Sequence, residues 1–428
     1  MKTVLRWILR ELTKSILSIY RPKVIAVTGS VGKTSTKQVI GALVARIDPT
    51  VRVAPGSFNT DWGVPMTVIG GQYPGNSIRK WFALLYRGIK LVLWHTSDYP
   101  KTLVMELGAD HPGDIGRLSK LVRPSVGVVT AIAPVHLEGM GTIENIAKEK
   151  LRLLSALPSD GIAVVSSEVD AKWDPAKHTK AKLMTAGDEG ADVYATDISF
   201  RTHSHGSPYG RGTLFKLHWK GSAVPCFLPE VVGWAAVESS CLGAAVGLSL
   251  GINLIDVSEG LRAVLWPLGR MHLVDGIRKT VIIDDSYNAS PKAMTQALEV
   301  IETLAREEGR GTWVVLGDMA ELGPETESAH RMMGRLIAAK SPTTLVTVGP
   351  NARWFASDAI ASGYPPERVR RTGDAWEAGR LVQENLREGE MVLVKGSQIM
   401  RMERVVKELM ARPLEASKLL VRQEWWWK

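Results

Sequence analysis

The stretch Val24-Ile25-Ala26-Val27-Thr28-Gly29-Ser30-Val31-Gly32-Lys33-Thr34-Ser35-Thr36 decides the fold of this chain. It predicts a buried strand, a glycine turn and the start of a helix. Glycines at 29 and 32 let backbone N–H groups converge on one point, and the helix N-terminus adds partial positive charge there. Lys33 can then reach the terminal phosphates of a nucleotide, and the Thr34 hydroxyl can hold Mg²⁺. The stretch is therefore a candidate phosphate loop, formed by Gly29, Ser30, Gly32, Lys33, Thr34 and Ser35, although only two residues separate its glycines instead of the usual four.

Length and composition limit the classes of protein that the chain can represent. At 428 residues it should hold two or three domains, and 45% apolar with 23% charged residues is ordinary for a globular protein. The net charge of +9 favours anionic partners, either small molecules or an acidic membrane surface. No Lys/Arg-rich run with interleaved aromatics suggests nucleic acid, and Cys226 and Cys241 form neither a metal-ligand spacing nor a disulfide framework. We expect a cytoplasmic monomer that binds small anionic molecules.

Two segments predict basic amphipathic helices. In residues 1–21, Lys2, Arg6, Arg10 and Lys14 recur on one side and apolar residues fill the other, and residues 78–94 repeat this arrangement. We expect both helices to pack on the protein body. Attachment to the inner membrane surface is the alternative, in which Trp425-Trp426-Trp427 could take part. No apolar run approaches the roughly 18 residues needed to cross a bilayer.

Polar residues follow two further predicted strands, at the sheet edge where open α/β sheets collect ligands. The strand 102–105 ends at Glu106, which is placed to hold Mg²⁺ or to position water beside the phosphate loop. The strand 126–130 is followed by His136 and Glu138. A lone loop histidine is usually structural, but its place after a strand of the nucleotide sheet favours a functional role for His136.

The remainder of the chain predicts a second α/β domain. Residues 190–232 read as short antiparallel strands, and the pattern breaks at 265–270. Beyond it, strands centred on Ile282, Val314, Leu345 and Val392 alternate with helices that begin near Pro291, Glu325, Asn351, Asp374 and Ser397. The fold class is therefore α/β, with a central phosphate-loop ATPase domain on a mostly parallel sheet and a C-terminal doubly wound Rossmann-like domain. The expected divisions are an N-terminal helix (1–21), a central domain (22–266), a C-terminal domain (267–412) and a Trp-rich tail (413–428).

Taken together, the motifs of residues 22–412 resemble the Mur ligases, the ATP-dependent amide ligases of peptidoglycan precursor synthesis, and among them the branch that adds D-alanyl-D-alanine. The motifs that carry the resemblance are the short loop 29–34, Asn59 with 63–65, 106–109, 136–139, 285–288, 317–323 with His330, and 395–397 with 402–403. The chain departs from the family pattern at three places. A helix stands where the family has a uridine-binding domain, residues 78–94 form an extra basic helix, and 233–236 replace a His-Asn motif near the adenine.

The resemblance implies that ATP phosphorylates a substrate carboxylate and that an amine attacks the acyl phosphate, joining D-alanyl-D-alanine to a muramoyl peptide and forming ADP and phosphate. It implies ATP and Mg²⁺ as cofactors, with Lys33, Glu106, His136 and Lys150 as catalytic residues. Thr34, Glu106, His136 and a carbamylated Lys150 would bind metal. Arg270, Asp285 and Asn288 would join the phosphate loop in binding nucleotide. The implied substrate contacts are Asn59, Asp318, Glu321, His330, Lys395 and Ser397.

Two other functions stay open. The same chemistry could act on a different carboxylate, such as a polyglutamate-type or lipid-linked acceptor, or the chain could be a non-catalytic nucleotide-binding scaffold. A further hypothesis concerns the two basic helices, 1–21 and 78–94. We expect them to dock beside each other as a reduced substitute for the uridine-binding domain; the alternative is that they only cover the sheet edge.

Overall fold

The computed structural model describes residues 2–134, 137–203 and 210–424. The helices are α1 Lys2–Tyr20, α2 Lys33–Val44, α3 Gly63–Ile69, α4 Ile78–Leu93, α5 Asp114–Val122, α6 Leu137–Met140, α7 Ile143–Ser155, α8 Ser167–Trp173, α9 Trp234–Ser249, α10 Leu254–Arg262, α11 Pro291–Glu308, α12 Thr326–Lys340, α13 Arg353–Ala361, α14 Ala375–Asn385, α15 Glu403–Leu409 and α16 Ala416–Leu419. The strands are β1 Lys23–Thr28, β2 Arg52–Val53, β3 Thr102–Glu106, β4 Val126–Val129, β5 Ile162–Ser166, β6 Lys182–Gly187, β7 Val193–Arg201, β8 Gly212–Trp219, β9 Ser222–Pro229, β10 His272–Asp275, β11 Val281–Asp285, β12 Thr312–Gly317, β13 Thr344–Val348, β14 Val369–Thr372 and β15 Met391–Lys395.

The described chain divides into two compact units. The first holds the residues up to Asp197 with Phe215–Cys226 and Val237–Leu265, and the second holds Ile198–Leu214, Phe227–Ala236 and the chain from Trp266 onward. The predicted divisions at 21/22, 266/267 and 412/413 stay predictions, and Trp425-Trp426-Trp427 lie outside the described residues.

The first sheet has the strand order β2-β3-β1-β4-β5-β6-β7-β8-β9, and the pairs from β2 to β7 are parallel. Its third strand is β1, which lies between β3 and β4 and is buried from Val24 onward. Such near-continuous apolar strands suit a parallel sheet that is covered on both faces. The carboxyl ends of β1 and β3 are in register, with Val27 opposite Glu106. This register brings the phosphate loop and the predicted acidic residue to the same edge.

Both predicted basic helices are confirmed as helices, and they lie beside each other. Leu9 and Ile16 of α1 are buried in the first core. The Tyr20 hydroxyl donates to the Leu91 carbonyl of α4 at 2.9 Å. A Cβ added at Gly88 of α4 would lie 3.0 Å from Leu12 Cδ1, so the two helices approach closely there. The docking that we expected is therefore present, while its role in substrate binding stays a prediction.

Helix α4 also carries a row of exposed apolar side chains, which we call the apolar stripe. It consists of Ile78, Phe82, Tyr86, Ile89 and Leu93. Within the described part of the chain, no helix is both long and apolar enough to cross a bilayer.

The second sheet has the order β10-β11-β15-β12-β13-β14 and is parallel except at β10. The expected parallel, doubly wound arrangement is confirmed, with β10 added antiparallel at one edge. The last strand in sequence, β15, occupies the centre between β11 and β12. One expected helix start is displaced, because Ser397 leads into a short 3₁₀ turn and α15 begins only at Glu403.

Candidate active site

The phosphate loop follows β1 and is built so that its backbone can fold tightly. Gly29 has φ 150°, and a Cβ there would lie 2.0 Å from Thr130 Oγ1. Gly32, at φ 84°, immediately precedes α2. Ser30 fixes the loop to the segment after β4, since its N–H donates to the Ala131 carbonyl at 2.7 Å and its hydroxyl to the Ala133 carbonyl at 2.9 Å. The loop thus has the strand–turn–helix placement that anion binding requires.

Lys33 and Thr34 open α2 at the loop. Lys33 Nζ donates to the carbonyls of Gly29, at 2.8 Å, and of Ser30, at 3.2 Å, so the side chain folds back over the loop. The Thr34 hydroxyl donates to Glu106 Oε2 at 3.0 Å. The predicted cation and the predicted metal-binding hydroxyl are therefore brought to the loop and to the end of β3, respectively.

Glu106 is almost completely buried and is held from three directions. Besides Thr34, it accepts a hydrogen bond from Asn59 Nδ2 at 3.0 Å, and Lys37 Nζ lies 3.7 Å from Oε2. Lys37 is itself fully buried and donates to the Gly56 carbonyl at 2.5 Å. Sequence reasoning missed Lys37, although its spacing from Lys33 and Thr34 puts all three on one side of α2. Asn59 orients this carboxylate in the structure, and its contact with substrate stays a prediction.

Lys150 projects from α7 into the same unit and is 3% exposed. Burial, followed by the positive charge of Lys33, lowers its pKa to about 7, while Glu149, Asp110 and Glu106 act in the opposite direction. Its neighbour Glu149 accepts from the N–H groups of Gly113 and Ile115 at 2.8 and 2.7 Å, which fixes the loop after β3. An amine with this pKa is substantially neutral at physiological pH.

The predicted metal ligands can be tested against these positions. The oxygens of Thr34 and Glu106 lie 3.0 Å apart, close to the roughly 2.9 Å expected for adjacent oxygens around Mg²⁺. Among the described residues, no three His, Cys, Asp or Glu side chains cluster as a metal site. The oxygens of Thr34 and Glu106 fit a cation that is shared with phosphate oxygens. His136 lies outside the described residues.

In the second unit, the end of β11 meets the end of β15. Lys395 is 1% exposed, and its Nζ donates to Asp285 Oδ2 at 2.5 Å and to the Asn288 carbonyl at 3.0 Å. Asp284, the residue before, is fully buried, and burial raises its pKa to about 6. The structure thus brings together Asp285 and Asn288 of one predicted motif and Lys395 of another.

The loop after β12 forms a second cluster. Asp318 accepts from the N–H groups of Asn351 and Ala352, at 3.2 and 2.6 Å, and its carbonyl accepts from Ser397 N–H at 3.0 Å. The Ser397 hydroxyl accepts from Ala320 N–H at 2.7 Å. Glu321 is exposed at the tip of this loop, with φ 62°. In this conformation Asp318 and Ser397 hold the loop that presents Glu321.

His330 differs from the expected substrate contact. It is fully buried, its Nε2 accepts from Met319 N–H at 3.1 Å, and its Nδ1 lies 2.6 Å from the Thr326 carbonyl. Both ring nitrogens are therefore occupied, with Nδ1 as the donor. His330 orders the 318–323 loop, and any effect on substrate through it would be indirect.

Arg270 stacks on Tyr287, with its guanidinium carbon 4.3 Å from the ring centroid. Arg422, from the C-terminal segment, contacts the loop that bears Tyr287. It donates to the carbonyls of Ser286, at 2.7 Å, and Tyr287, at 3.1 Å, and it pairs with the buried Glu403 at 2.7 Å. Sequence reasoning missed Arg422, because a single arginine in the C-terminal segment gives no pattern. The arrangement makes Arg422 a support for the 285–288 loop.

Comparisons with known proteins agree with these elements. The description "Mur ligase middle domain" matches residues 27–229, and "Mur ligase, glutamate ligase domain" matches residues 269–398. The UDP-N-acetylmuramoyl-tripeptide–D-alanyl-D-alanine ligase of Escherichia coli is 31% identical over 390 residues, which cover 90% of this chain and 76% of that protein.

Two crystal structures of MurF proteins share the fold. That of MurF from Acinetobacter baumannii has a TM-score of 0.75 and 28% identity, and the match covers 94% of this chain and 79% of that one. That of MurF ligase from Thermotoga maritima in complex with ADP has a TM-score of 0.76 and 23% identity, with 96% and 84% of the two chains covered. Because a relative above 30% identity and both domain descriptions match along the chain, this protein belongs to the Mur ligase family.

Proposed function

We propose that the chain is an ATP-dependent amide ligase of cell-wall precursor synthesis. It joins D-alanyl-D-alanine to the terminal carboxylate of a UDP-muramoyl tripeptide and releases ADP and phosphate. We place this reaction in the cytoplasm, where its small-molecule substrates and ATP are available, and we propose that the protein acts as a monomer. The observation that carries the proposal is the meeting of Thr34 and Glu106 at 3.0 Å beside an intact phosphate loop.

In the first unit, the proposed reaction begins with nucleotide on the phosphate loop. The N–H groups of the loop and Lys33 hold the terminal phosphates, which requires Lys33 Nζ to leave the carbonyls that it contacts in this structure. The acceptor carboxylate then attacks the γ-phosphorus, the bond to the β-phosphate oxygen breaks, and an acyl phosphate forms. Because two anions must approach each other, fixed cations contribute the largest part of the rate enhancement. Lys37 contributes by fixing Glu106.

A bound Mg²⁺ would neutralise phosphate charge and orient the transferred group. We propose that Thr34 and Glu106 hold one Mg²⁺, and that His136 and carbamylated Lys150 hold a second. The lowered pKa of Lys150 supports the carbamate, since only a neutral amine adds to CO₂ and releases a proton to form the carboxylate. Carbamylation turns a poor metal ligand into a good one.

In the second unit, we propose that Arg270, Asp285 and Asn288 contact the nucleotide. Lys395, Ser397, Asp318 and Glu321 serve the incoming dipeptide, with Glu321 as the group best exposed to reach it. Attack of the dipeptide amine on the acyl phosphate gives a tetrahedral intermediate, from which phosphate leaves. His330 and Arg422 act by ordering the loops that bear these residues.

A second candidate keeps this chemistry and changes the acceptor to another carboxylate, polyglutamate-type or lipid-linked. The apolar stripe of α4 favours the lipid-linked form, since it lies on an exposed helix face. A third candidate is a non-catalytic nucleotide-binding scaffold, against which the complete pairing of Thr34, Asn59 and Lys37 with Glu106 argues.

Phosphate release from ATP and Mg²⁺ tests the three candidates together. We expect release only when both a UDP-muramoyl tripeptide and D-alanyl-D-alanine are present, with the ligated product visible by mass spectrometry. Release with a different carboxylate acceptor would instead identify the second candidate. Nucleotide binding with no release for any acceptor would identify the scaffold.

Glu106→Gln provides a matched check of the proposed metal site. This substitution keeps the shape of the side chain but removes its negative charge at the end of β3. We therefore expect ligation to need a higher Mg²⁺ concentration. Exposed Glu189→Gln is the control and should leave the Mg²⁺ dependence unchanged. An unaltered Mg²⁺ requirement in Glu106→Gln would contradict the assignment.

The proposed role of the two docked helices in acceptor binding has its own test. Charge reversal at Arg79, Lys80 and Arg87 should raise the KM for the acceptor and leave the KM for ATP unchanged. Equal KM values for acceptor in the reversed and original proteins would remove this role.

A further inference from the structure

Helix α4 has three faces of different character. One face packs on the first unit through Leu84 and Gly88, which are buried. The second face is the apolar stripe, and the third is basic. At about 100° per residue, the five stripe residues lie within about 80° of one another around the helix axis, between the packed face and the basic one.

The apolar stripe is too continuous to be ordinary surface. Its exposed fractions run from 43% at Ile89 to 73% at Ile78, and Trp94, just beyond the helix end, is also exposed, at 60%. Single exposed apolar residues are normal on soluble proteins, whereas contiguous ones mark an interaction surface. The packing of the first unit therefore leaves part of α4 apolar toward solvent.

The positive charge beside the apolar stripe indicates which kind of surface it binds. Arg79, Lys80, Arg87 and Lys90 are exposed on α4, and the sequence from Ile78 to Leu93 holds no Asp or Glu. By the same helical spacing, these four residues lie within about 100° of one another on the basic face. A helix with an apolar stripe, aromatic residues and a lysine/arginine flank has the composition of helices that lie in the surface of an anionic bilayer.

Helix α4 is also formed and fixed in place before any such contact. Its start is capped by the Ser77 hydroxyl, which accepts from Lys80 N–H, and its end is fixed to α1 by the bond from Tyr20 to the Leu91 carbonyl. Binding would therefore not require the helix to fold, which removes an ordering cost that free peptides incur. At about 1.5 Å per residue, its 16 residues present a ridge about 24 Å long.

We propose that α4 inserts its apolar stripe into the surface of an anionic phospholipid membrane, with Arg79, Lys80, Arg87 and Lys90 contacting lipid headgroups. The protein thereby binds the bilayer peripherally through a preformed helix. This inference goes beyond the ligase reaction and does not depend on it, because lipid binding can be measured without substrate or turnover.

Sedimentation with vesicles tests the proposal directly. The full chain should bind vesicles that contain phosphatidylglycerol, bind phosphatidylcholine vesicles at least about tenfold more weakly, and be released by salt. The double variant Phe82→Ser, Leu93→Ser should bind anionic vesicles about tenfold less well. The matched control is Ile255→Ser, Leu414→Ser, which removes two exposed apolar residues elsewhere and should bind as the original protein does.

A fluorescent probe then reports insertion itself. Phe82→Cys places one exposed thiol on the stripe, whereas Cys226 and Cys241 are buried and burial raises the pKa of both thiols, so labelling is selective. A polarity-sensitive dye at position 82 should shift to the blue on anionic vesicles, and the same dye on Ile255→Cys should not.

Three results would overturn the proposal. The first is no binding of the full chain to anionic vesicles at low salt. The second is equal binding by the Phe82→Ser, Leu93→Ser variant and the original, since charge alone would then explain attachment. The third is a dimer in solution, without lipid, that this variant abolishes, since the stripe would then be an interface between two copies of the chain.

Discussion

The two units differ in how the positive charge of a buried lysine is compensated. Each buries a lysine near a carboxylate at the carboxyl end of an inner strand of its sheet. In the second unit, Lys395 lies 2.5 Å from Asp285 and also contacts a carbonyl, so its charge is met within the protein. In the first unit, Lys37 lies 3.7 Å from Glu106, and Lys33 and Lys150 are also near enough to interact. Cationic charge is thus concentrated where the sequence places a phosphate loop.

This difference between the two units indicates which of them has positive charge available to bind an anion. Burial and, after it, repulsion from Lys33 lower the pKa of Lys150, so two lysines of the first unit repel each other. A polyphosphate would relieve that repulsion. The charge of Lys395 is compensated by Asp285 within the protein, so this pair also holds the 285–288 loop in place. Substitutions should therefore reduce activity alone in the first unit, and both activity and stability in the second.

The largest effect is expected at Lys150. Lys150→Ala should abolish detectable ligation, because the proposed carbamate is lost, and a small carboxylate such as formate should restore part of the activity. Ligation rates with and without added carboxylate measure this. An experimental structure of active protein with an unmodified Lys150 far from any metal would contradict it.

Lys33→Ala tests the role of the positive charge at the phosphate loop. We expect ligation to fall at least ~100-fold, since a group that stabilises transferring phosphate is removed, while the melting temperature changes little. Exposed Lys120→Ala is the matched control and should keep normal kinetics. Near-normal turnover of Lys33→Ala would remove the phosphate-loop assignment.

Lys395→Met should lower stability as well as activity. It leaves Asp285 buried without its cation, which we expect to lower the free energy of unfolding by about 2 kcal/mol. Chemical denaturation measures the change, and the double variant Lys395→Met, Asp285→Asn should recover part of it. If Lys395→Met lost activity but kept full stability, the contrast between the units would fail.

The smallest effect concerns Asp284, whose pKa burial raises to about 6 from 3.8. Between these two pH values the folded protein binds more protons than the unfolded chain, so this group lowers stability as the pH rises from 4 to 6, and the loss persists at pH 7. Asp284→Asn should raise the free energy of unfolding at pH 7 by about 1 kcal/mol and have less effect at pH 4. A variant less stable than the original at pH 7 would show that the carboxylate is charged and needed.

Local sequence patterns predicted the parts of the site that depend on neighbouring residues. The loop 29–34 and Glu106 could be placed because strand, glycine turn and helix follow one another directly. Lys37 and Arg422 could not, since their partners Glu106 and Ser286 lie far away in sequence. The faces of α4 were predicted only in part. Periodicity shows which residues share a side of the helix, but not which of the apolar residues the rest of the unit covers. His330 illustrates the reverse case, a motif residue whose ring nitrogens the fold itself uses.

The central position of β15 has a consequence for protein synthesis. Strands β11 and β12 cannot complete their sheet until β15, which separates them, has been translated. Lys395 follows Asp285 by 110 residues, an interval of about 5 to 20 s at roughly 5–20 residues per second. During that time Asp285 lacks its partner, and two apolar strand edges stay open. The nascent second unit is therefore a natural client for chaperones, whereas the adjoining strands β1, β3 and β4 of the first unit can pair long before the chain leaves the ribosome.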